Sequence, residues 1–250
     1  MKKLIAILLL ACCVTAASAD NHEGTEEKIR AAMQADIRGE ADTERDRNRR
    51  PVETLLFFGL RDDMKVVELM PGGGWYTKIL APVLAENGEY YAALGTGRVK
   101  SQLSGEPGFE EMNFVAEDAR IYRPEGERFY AIEADGLGVT GADMVLTFRN
   151  YHNFSAEGRA AMNRMVFDAL KSGGIYGVVD HSRRHMEPDN PENGRRADPV
   201  LVIKEVEDAG FEFVDYSDLH YRPDDELRYE VGRATVTGNT DRFTLKFRKP

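Results

Sequence analysis

Cysteine is almost absent from this 250-residue chain, which has two, Cys12 and Cys13, and none after Val14. A disulfide framework, a zinc site built on cysteines and a thiol nucleophile are thereby excluded from everything that follows. Basic residues are in deficit too: 33 Lys and Arg stand against 43 Asp and Glu, for a formal charge of −10. That is the wrong sign for a protein that grips the phosphate backbone of a nucleic acid, so a small molecule or a protein is the expected partner. No Gly-Lys-Ser or Gly-Lys-Thr occurs, which excludes a P-loop. No internal repeat is visible, and no run after Val14 is apolar enough to cross a membrane. What remains, 42% hydrophobic and 30% charged, is the composition of an ordinary globular chain rather than a collagen-like, low-complexity or multi-span membrane protein.

The first nineteen residues read as an address. Lys2 and Lys3 precede an apolar run from Leu4 to Val14, and Ala17-Ser18-Ala19 is a small-residue cleavage signature before Asp20. Eleven residues rise about 16 Å as a helix, too short for a bilayer core of about 30 Å. The expectation is a cleaved signal peptide and a periplasmic protein. A competing cut exists, because Leu9-Leu10-Ala11-Cys12 resembles a bacterial lipobox, which would leave a lipid anchor on Cys12. The complete Ala-Ser-Ala site favours the cut after Ala19, with Leu10 an unusual residue inside a lipobox.

Residues 20–50 are highly charged, with a helical pattern around Ile29, Met33 and Ile37, and read as a solvated helical extension. Arg45, Arg47, Arg49 and Arg50 could touch an anionic ligand there, although acids are interleaved with them. From Pro51 short apolar runs alternate with helical patterns, the signature of parallel strands joined by crossover helices. Strands are expected at Lys65–Met70, Tyr90–Leu94, Arg128–Ala134, Asp143–Phe148, Ile175–Val179, Phe211–Tyr216 and Arg242–Arg248. Helices are expected over Val52–Leu60, after the glycines at 72–74, after Ser155 as N-cap, and between Asp198 and Gly210. Residues 95–127 carry little signal. One α/β domain over 51–250 accounts for all of this.

The densest motif is Glu68-Leu69-Met70-Pro71-Gly72-Gly73-Gly74-Trp75-Tyr76-Thr77. It places a strand, an acid near its end, a glycine turn and a helix start in sequence, the place where an open parallel sheet holds a nucleotide-like ligand. Glycines let backbone approach the ligand, and a helix N-terminus offers free N–H groups to an anion. A dinucleotide fingerprint would need a third glycine where Thr77 stands. The motif resembles motif I of the class I S-adenosylmethionine-dependent methyltransferases, with Glu68 in the acidic place, Gly72 and Gly74 as the second and third glycines, and Met70 in place of the first. Ala142–Asn153 is similar to that family's fourth strand and the loop after it, Asp168–Val179 to its helix, Gly-Gly turn and fifth strand, and Phe243–Phe247 to its last strand. The turn, with Phe57-Phe58-Gly59-Leu60 before it, is also similar to a group of exported bacterial predicted methyltransferases.

The resemblance implies a Rossmann-like, seven-stranded, mostly parallel sheet with an antiparallel last strand, S-adenosylmethionine as cofactor and methyl transfer to an acceptor, a small molecule in the first place and a protein as the alternative. It implies cofactor contacts at Glu68, Pro71, Gly72, Gly73, Gly74, Trp75 and Tyr76. The acid that normally ends the second strand and binds the ribose is missing from Ala92-Ala93-Leu94-Gly95, and Asp135 is the acid the expected third strand offers to the adenine. After the fourth strand, Arg149, Asn150, Tyr151 and Asn153 are the expected acceptor contacts. His152, and His181 from across the cleft, are the expected proton acceptors, since imidazole suits general-base work near neutral pH. Asp180 with the two histidines lacks a tight ligand spacing, and no metal is expected. His22, His185 and His220 read as surface residues, and Arg183, Arg184, Arg195 and Arg196 as loop charge or as contacts for an anionic acceptor. Two rivals stand beside the methyltransferase: a binding protein that kept the fold and lost catalysis, and a nicotinamide-dependent oxidoreductase. The intact mass of the mature protein is expected to be that of a chain beginning at Asp20; a diacylated chain beginning at Cys12 would overturn this cut.

Overall fold

The computed structural model describes residues 16–250, with side chains from Gly24 onward. The apolar run, both cysteines and the lipobox lie outside the described residues.

Four helices lead in: α1 (Ala16–Met33), α2 (Glu40–Thr43), α3 (Asp46–Arg49) and α4 (Pro51–Phe58). Pro51 opens α4, where its missing N–H costs nothing, and Gly59, with φ of 84°, closes it. The strands are β1 (Lys65–Leu69), β2 (Glu89–Ala93), β3 (Asn113–Val115), β4 (Arg120–Tyr122), β5 (Ala131–Glu133), β6 (Ala142–Phe148), β7 (Leu170–His181), β8 (Glu212–Ser217) and β9 (Arg242–Arg248). Between them run α5 (Thr77–Leu84), α6 (Gly97–Leu103), α7 (Ala156–Ala169) and α8 (Pro199–Asp208). Ser155 Oγ accepts from Gly158 N at 3.1 Å and Asp198 from Val200 N at 2.9 Å, so both expected caps are formed.

Seven strands form one sheet in the order β3-β2-β1-β6-β7-β9-β8. β1 pairs in parallel with both β2 and β6, while β9 runs antiparallel between β7 and β8. The chain leaves β1 in one direction through β2 and β3 and then returns to its other side as β6. Such a reversal opens a crevice at the C-terminal ends of β1 and β6, where ligands bind in sheets of this kind. Apolar layers cover both faces, one built around Leu55, Phe58, Ile79, Leu80 and Leu146, the other around Val145, Tyr151, Val166, Tyr176 and Phe247.

Two expectations are corrected. The third strand of the sheet is Asn113–Val115, not Arg128–Ala134; the core of the latter, β5, pairs antiparallel with β4 in a separate two-stranded sheet. Alternation of side chains is the same in either sheet, so period alone could not tell them apart, and three residues were too few to signal β3. The charged lead-in is not a solvated extension either. Ile29 is fully buried and Ala32 nearly so, α1 packs on α4 and α5, and Lys28 Nζ reaches Asp62 at 2.6 Å and Glu86 at 2.8 Å. Ile29→Ala is therefore expected to cost about 2–4 kcal/mol in chemical denaturation, as for other buried large-to-small changes; a loss below about 0.5 kcal/mol would show that the helix is not part of the cooperative unit.

Candidate active site

An open cleft of about 570 Å³ lies at the C-terminal ends of β1 and β6. Its floor is the glycine turn. Met70 (φ 50°) and Gly72 (φ 59°) both adopt left-handed backbone, and Met70 N donates to Ala93 O at 2.8 Å, which bends the chain sharply out of β1. A Cβ on Gly72 would meet nothing, so that position is open to the cleft. The N–H groups of Gly72 and Gly73 have no acceptor among the described residues. Gly74 serves a different purpose: a Cβ there would stand 2.9 Å from Leu103 and 3.0 Å from Val99, so its glycine allows α6 to pack close. Asn150 Nδ2 donates to Met70 O (3.2 Å) and Phe148 O (3.1 Å), stitching the turn to the end of β6.

Glu68 is buried, and one carboxyl oxygen accepts from Thr77 Oγ1 and Tyr90 OH, each at 2.7 Å. Burial pushes its pKa up to about 7, against the lowering effect of the two hydrogen bonds. It positions the turn by tying β1 to α5 and β2. Trp75 and Tyr76 are both buried walls of the cleft. Tyr76 stacks on Phe148 at 3.6 Å, and the Trp75 ring meets the guanidiniums of Arg49 (4.2 Å) and Arg38 (5.0 Å) and donates to Asp42 O at 3.0 Å. Pro71 and Gly73 complete this side, while Asp42, Arg45, Lys78, Arg98 and Gln102 supply polar groups around the rim. The second strand ends on Ala93 and is followed by buried Leu94 rather than an acid. Asp135 is exposed in the loop after β5, away from the cleft lining; with β3 in its correct place, the acids that follow the third strand are Glu117 and Asp118.

Beside the cleft lies a second cavity of about 400 Å³, lined by His152, His181, Thr240 and five arginines, Arg45, Arg49, Arg149, Arg195 and Arg242. Arg45, Arg49 and Arg149 line both cavities. Arg149 directly follows β6 with φ of 61°, a left-handed conformation that costs a residue with a Cβ about 1–2 kcal/mol. Asp180 is fully buried and holds the two histidine segments: Oδ1 accepts from His152 Nδ1 (2.6 Å) and His181 N (2.7 Å), Oδ2 from His152 N (2.9 Å). With Nδ1 so engaged, His152 keeps Nε2 as its free ring nitrogen. His181 hydrogen-bonds Thr240 through Nδ1 at 2.9 Å, and burial, then the charge of Arg242, holds its pKa well below the usual histidine range. Of the two, His152 is the better-placed proton acceptor, because a carboxylate fixes its tautomer and orientation. Asp180 thus bonds the ring of His152 but only the backbone of His181, whose ring turns to Thr240.

Three expected surface or contact residues lie elsewhere. Tyr151 is fully buried and bonds Glu205 (3.0 Å) and Asn163 (2.9 Å) on the far side of β6, and Asn153 lines neither cavity. His220 is buried against Thr244 (2.6 Å) and Arg49 O (2.9 Å), and burial lowers its pKa to about 4. His185 is half exposed on Asp198, and the side chain of His22 lies outside the described residues. Arg196 is buried on Asp225 and Arg183 pairs with Asp189; Arg195 alone of its group lines the second cavity. Arg98 and Gln102 were missed in the stretch that carries little signal, their i, i+4 spacing after β2 being the only pointer to them; Arg242 carried no signal beyond opening the last strand.

No family model and no curated protein matches the chain. Among solved structures, an S-adenosylmethionine-dependent methyltransferase from Aquifex aeolicus is similar with a TM-score of 0.57 and 15% identity, over 89% of this chain and 97% of that one. Human N-acetylserotonin methyltransferase in complex with S-adenosylmethionine matches with a TM-score of 0.50 and 15% identity over 94% of this chain and 59% of its own. The cyclase SpnF matches with 0.51 and 17% identity over 87% and 86%. The chain thus has the class I methyltransferase fold. At these identities the likeness reaches the fold and stops there, and the cyclase shows that other chemistry uses it.

The raised pKa of Glu68 makes stability depend on pH. A carboxyl that titrates near 7 when folded and near 4.5 when unfolded binds more protons in the native state between those values, so stability is full below about pH 4.5 and falls until about pH 7. Glu68→Gln is expected to flatten this decline, which amounts to at most about 3 kcal/mol. Denaturant titrations of both proteins at pH 5, 6 and 8 check it; equal slopes against pH would show that Glu68 is ionised in the fold throughout.

Proposed function

We propose that this chain is an exported methyltransferase that uses S-adenosylmethionine and acts on a small molecule. One observation carries the reading: at the switch point of a class I methyltransferase sheet, the turn after β1 lines the cleft with an open Gly72 and with Gly72 and Gly73 N–H groups that have no acceptor among the described residues. The residues present fit the cofactor at this turn. At the end of β2 they depart from the family, since Leu94 replaces the ribose-binding acid and Arg98, Gln102 and Asp42 are the polar groups within reach of that end.

S-adenosylmethionine supplies a methyl group already activated on sulfonium, so the protein's tasks are binding, orientation and exclusion of water. Gly72 and Gly73 offer backbone donors, and Arg45 and Arg49 offer charge for a carboxylate. Tyr76 and Phe148 form an aromatic wall. His152, held by Asp180, would accept a proton from an acceptor lying in the neighbouring cavity. Export rests on the leader, from Lys2 to Ala19. Leu94 favours a second reading, a binding protein that kept the fold and lost catalysis, as does the cytosolic origin of the cofactor. A nicotinamide enzyme is disfavoured: Thr77, in the place of the third glycine, is committed to Glu68.

Calorimetric titration of the mature protein is expected to show one site each for S-adenosylmethionine and S-adenosylhomocysteine and none for NAD. Absence of both sulfur ligands at millimolar concentration would sink the reading. Gly73 has ordinary backbone, and a Cβ there would stand 3.4 Å from the Arg98 and Gln102 side chains. Gly73→Val should therefore keep the fold yet weaken binding about tenfold to a hundredfold; unchanged affinity would show that the turn is not the cofactor site.

A further inference from the structure

The second cavity differs from the rest of the molecule in how its arginines are treated. Elsewhere a buried guanidinium has a carboxylate: Arg196 has Asp225, Arg38 has Asp46 and Arg159 has Glu205. Around this cavity, among the described residues, Arg45, Arg49, Arg149 and Arg242 have none, and only Arg195 is paired, with Glu230. No Asp or Glu lines it, in a chain whose acids outnumber its bases by ten. Asp180, the nearest carboxylate in the core, is consumed by His152 and the backbone of His181.

Two of these cations are deeply buried, Arg49 at 6% and Arg242 at 8% exposure. Among the described residues Arg242 reaches one neutral acceptor, Asn48 O at 2.9 Å, and its buried Nε has no partner. Burial, and then the charge of Arg149, lowers Arg242 to about 10 and Arg49 to about 9. Unpaired buried charges of one sign are costly, and they persist where a ligand of the opposite sign completes them. Arginine is also the side chain whose planar fork matches a carboxylate or phosphate.

We propose that this cavity is an anion site distinct from the glycine-turn cleft, and that the acceptor is a small molecule whose carboxylate or phosphate is held by Arg149, Arg195 and Arg242. The anion site follows from the cavity itself; that its occupant is the acceptor rests on the methyltransferase reading. Arg195 and Arg242 line this cavity and not the cleft, whereas Arg149 stands between the two. His152 borders the same space, so an anion anchored at Arg242 would hold the remainder of the molecule between imidazole and cleft.

The test is calorimetry of the mature protein with inorganic phosphate and with succinate, each against chloride at matched ionic strength, with and without saturating S-adenosylhomocysteine. At least one anion should bind one site per chain, and should still bind when S-adenosylhomocysteine is present. Preference for phosphate or succinate identifies the headgroup. Arg242→Gln should weaken that binding about tenfold or more. Arg195→Gln, an exposed change that leaves the core intact, should weaken it in the same direction by removing one guanidinium and freeing Glu230. Binding no better than chloride, competition with S-adenosylhomocysteine, or unchanged affinity in Arg195→Gln would each overturn the proposal. If the anions bind while S-adenosylhomocysteine does not, the anion site stands and its assignment to a methyl acceptor falls.

Discussion

One buried carboxyl organises the centre of this molecule. Glu68 takes hydrogen bonds from Thr77 and Tyr90 through a single oxygen, so a strand, the helix that follows it and the neighbouring strand converge on one point. Between Glu68 and Thr77 the chain has only eight residues in which to leave β1, turn back and start α5. The left-handed backbone at Met70 and Gly72 and the close packing of Gly74 on α6 are what that short path demands. Because the carboxyl is withdrawn into the core and bonded, it contributes geometry to the cleft and little charge.

The charge comes from the lead-in, from the loop residues Arg149 and Arg195, and from Lys78, Arg98 and Arg242 at the starts of α5, α6 and β9. Helices α1 to α4 carry Asp42, Arg45 and Arg49 across the open edge of the cleft, and Trp75 fastens them there through its indole N–H and its two guanidinium neighbours. The lead-in thus has two faces. Ile29 and Ala32 bind it to the helical layer by ordinary apolar burial, α1 packing on α4 and α5, and Arg45 and Arg49 line the space where a ligand would lie. A segment of this kind has a charged composition without being a solvated tail.

The two cavities divide the chemistry between them. The cleft offers backbone donors and aromatic walls, which suit a large and partly apolar ligand. Its neighbour offers guanidiniums and an imidazole whose orientation Asp180 fixes, which suit a small charged one. Arg149, held left-handed at the end of β6, is the partition between them, and the strain of its backbone is offset by the ladder bond from its N–H to Val179 O.

Most strands, the glycine turn and the caps at Ser155 and Asp198 were legible in the residues, because strand and helix periods, turn glycines and N-caps act over a few neighbouring positions, whereas the order of strands in the sheet came from the family resemblance. So were Gly72, Gly73, Trp75, Tyr76, Arg149, Asn150 and His152 as cavity residues, since a strand's end in such a sheet faces the crevice. The place of β3 was not, because three residues carry no usable period and β5 has the same alternation as a sheet strand. The burial of Ile29 and His220, the inward turn of Tyr151 and the meeting of Arg45 and Arg49 with Arg149 and Arg242 depend on contacts between segments separated along the chain, from 12 residues for Tyr151 and Asn163 to 171 for Arg49 and His220. Local pattern determines which elements form; which charged side chains are left unpaired together is decided only when those elements pack, since pairing is a property of neighbours in space.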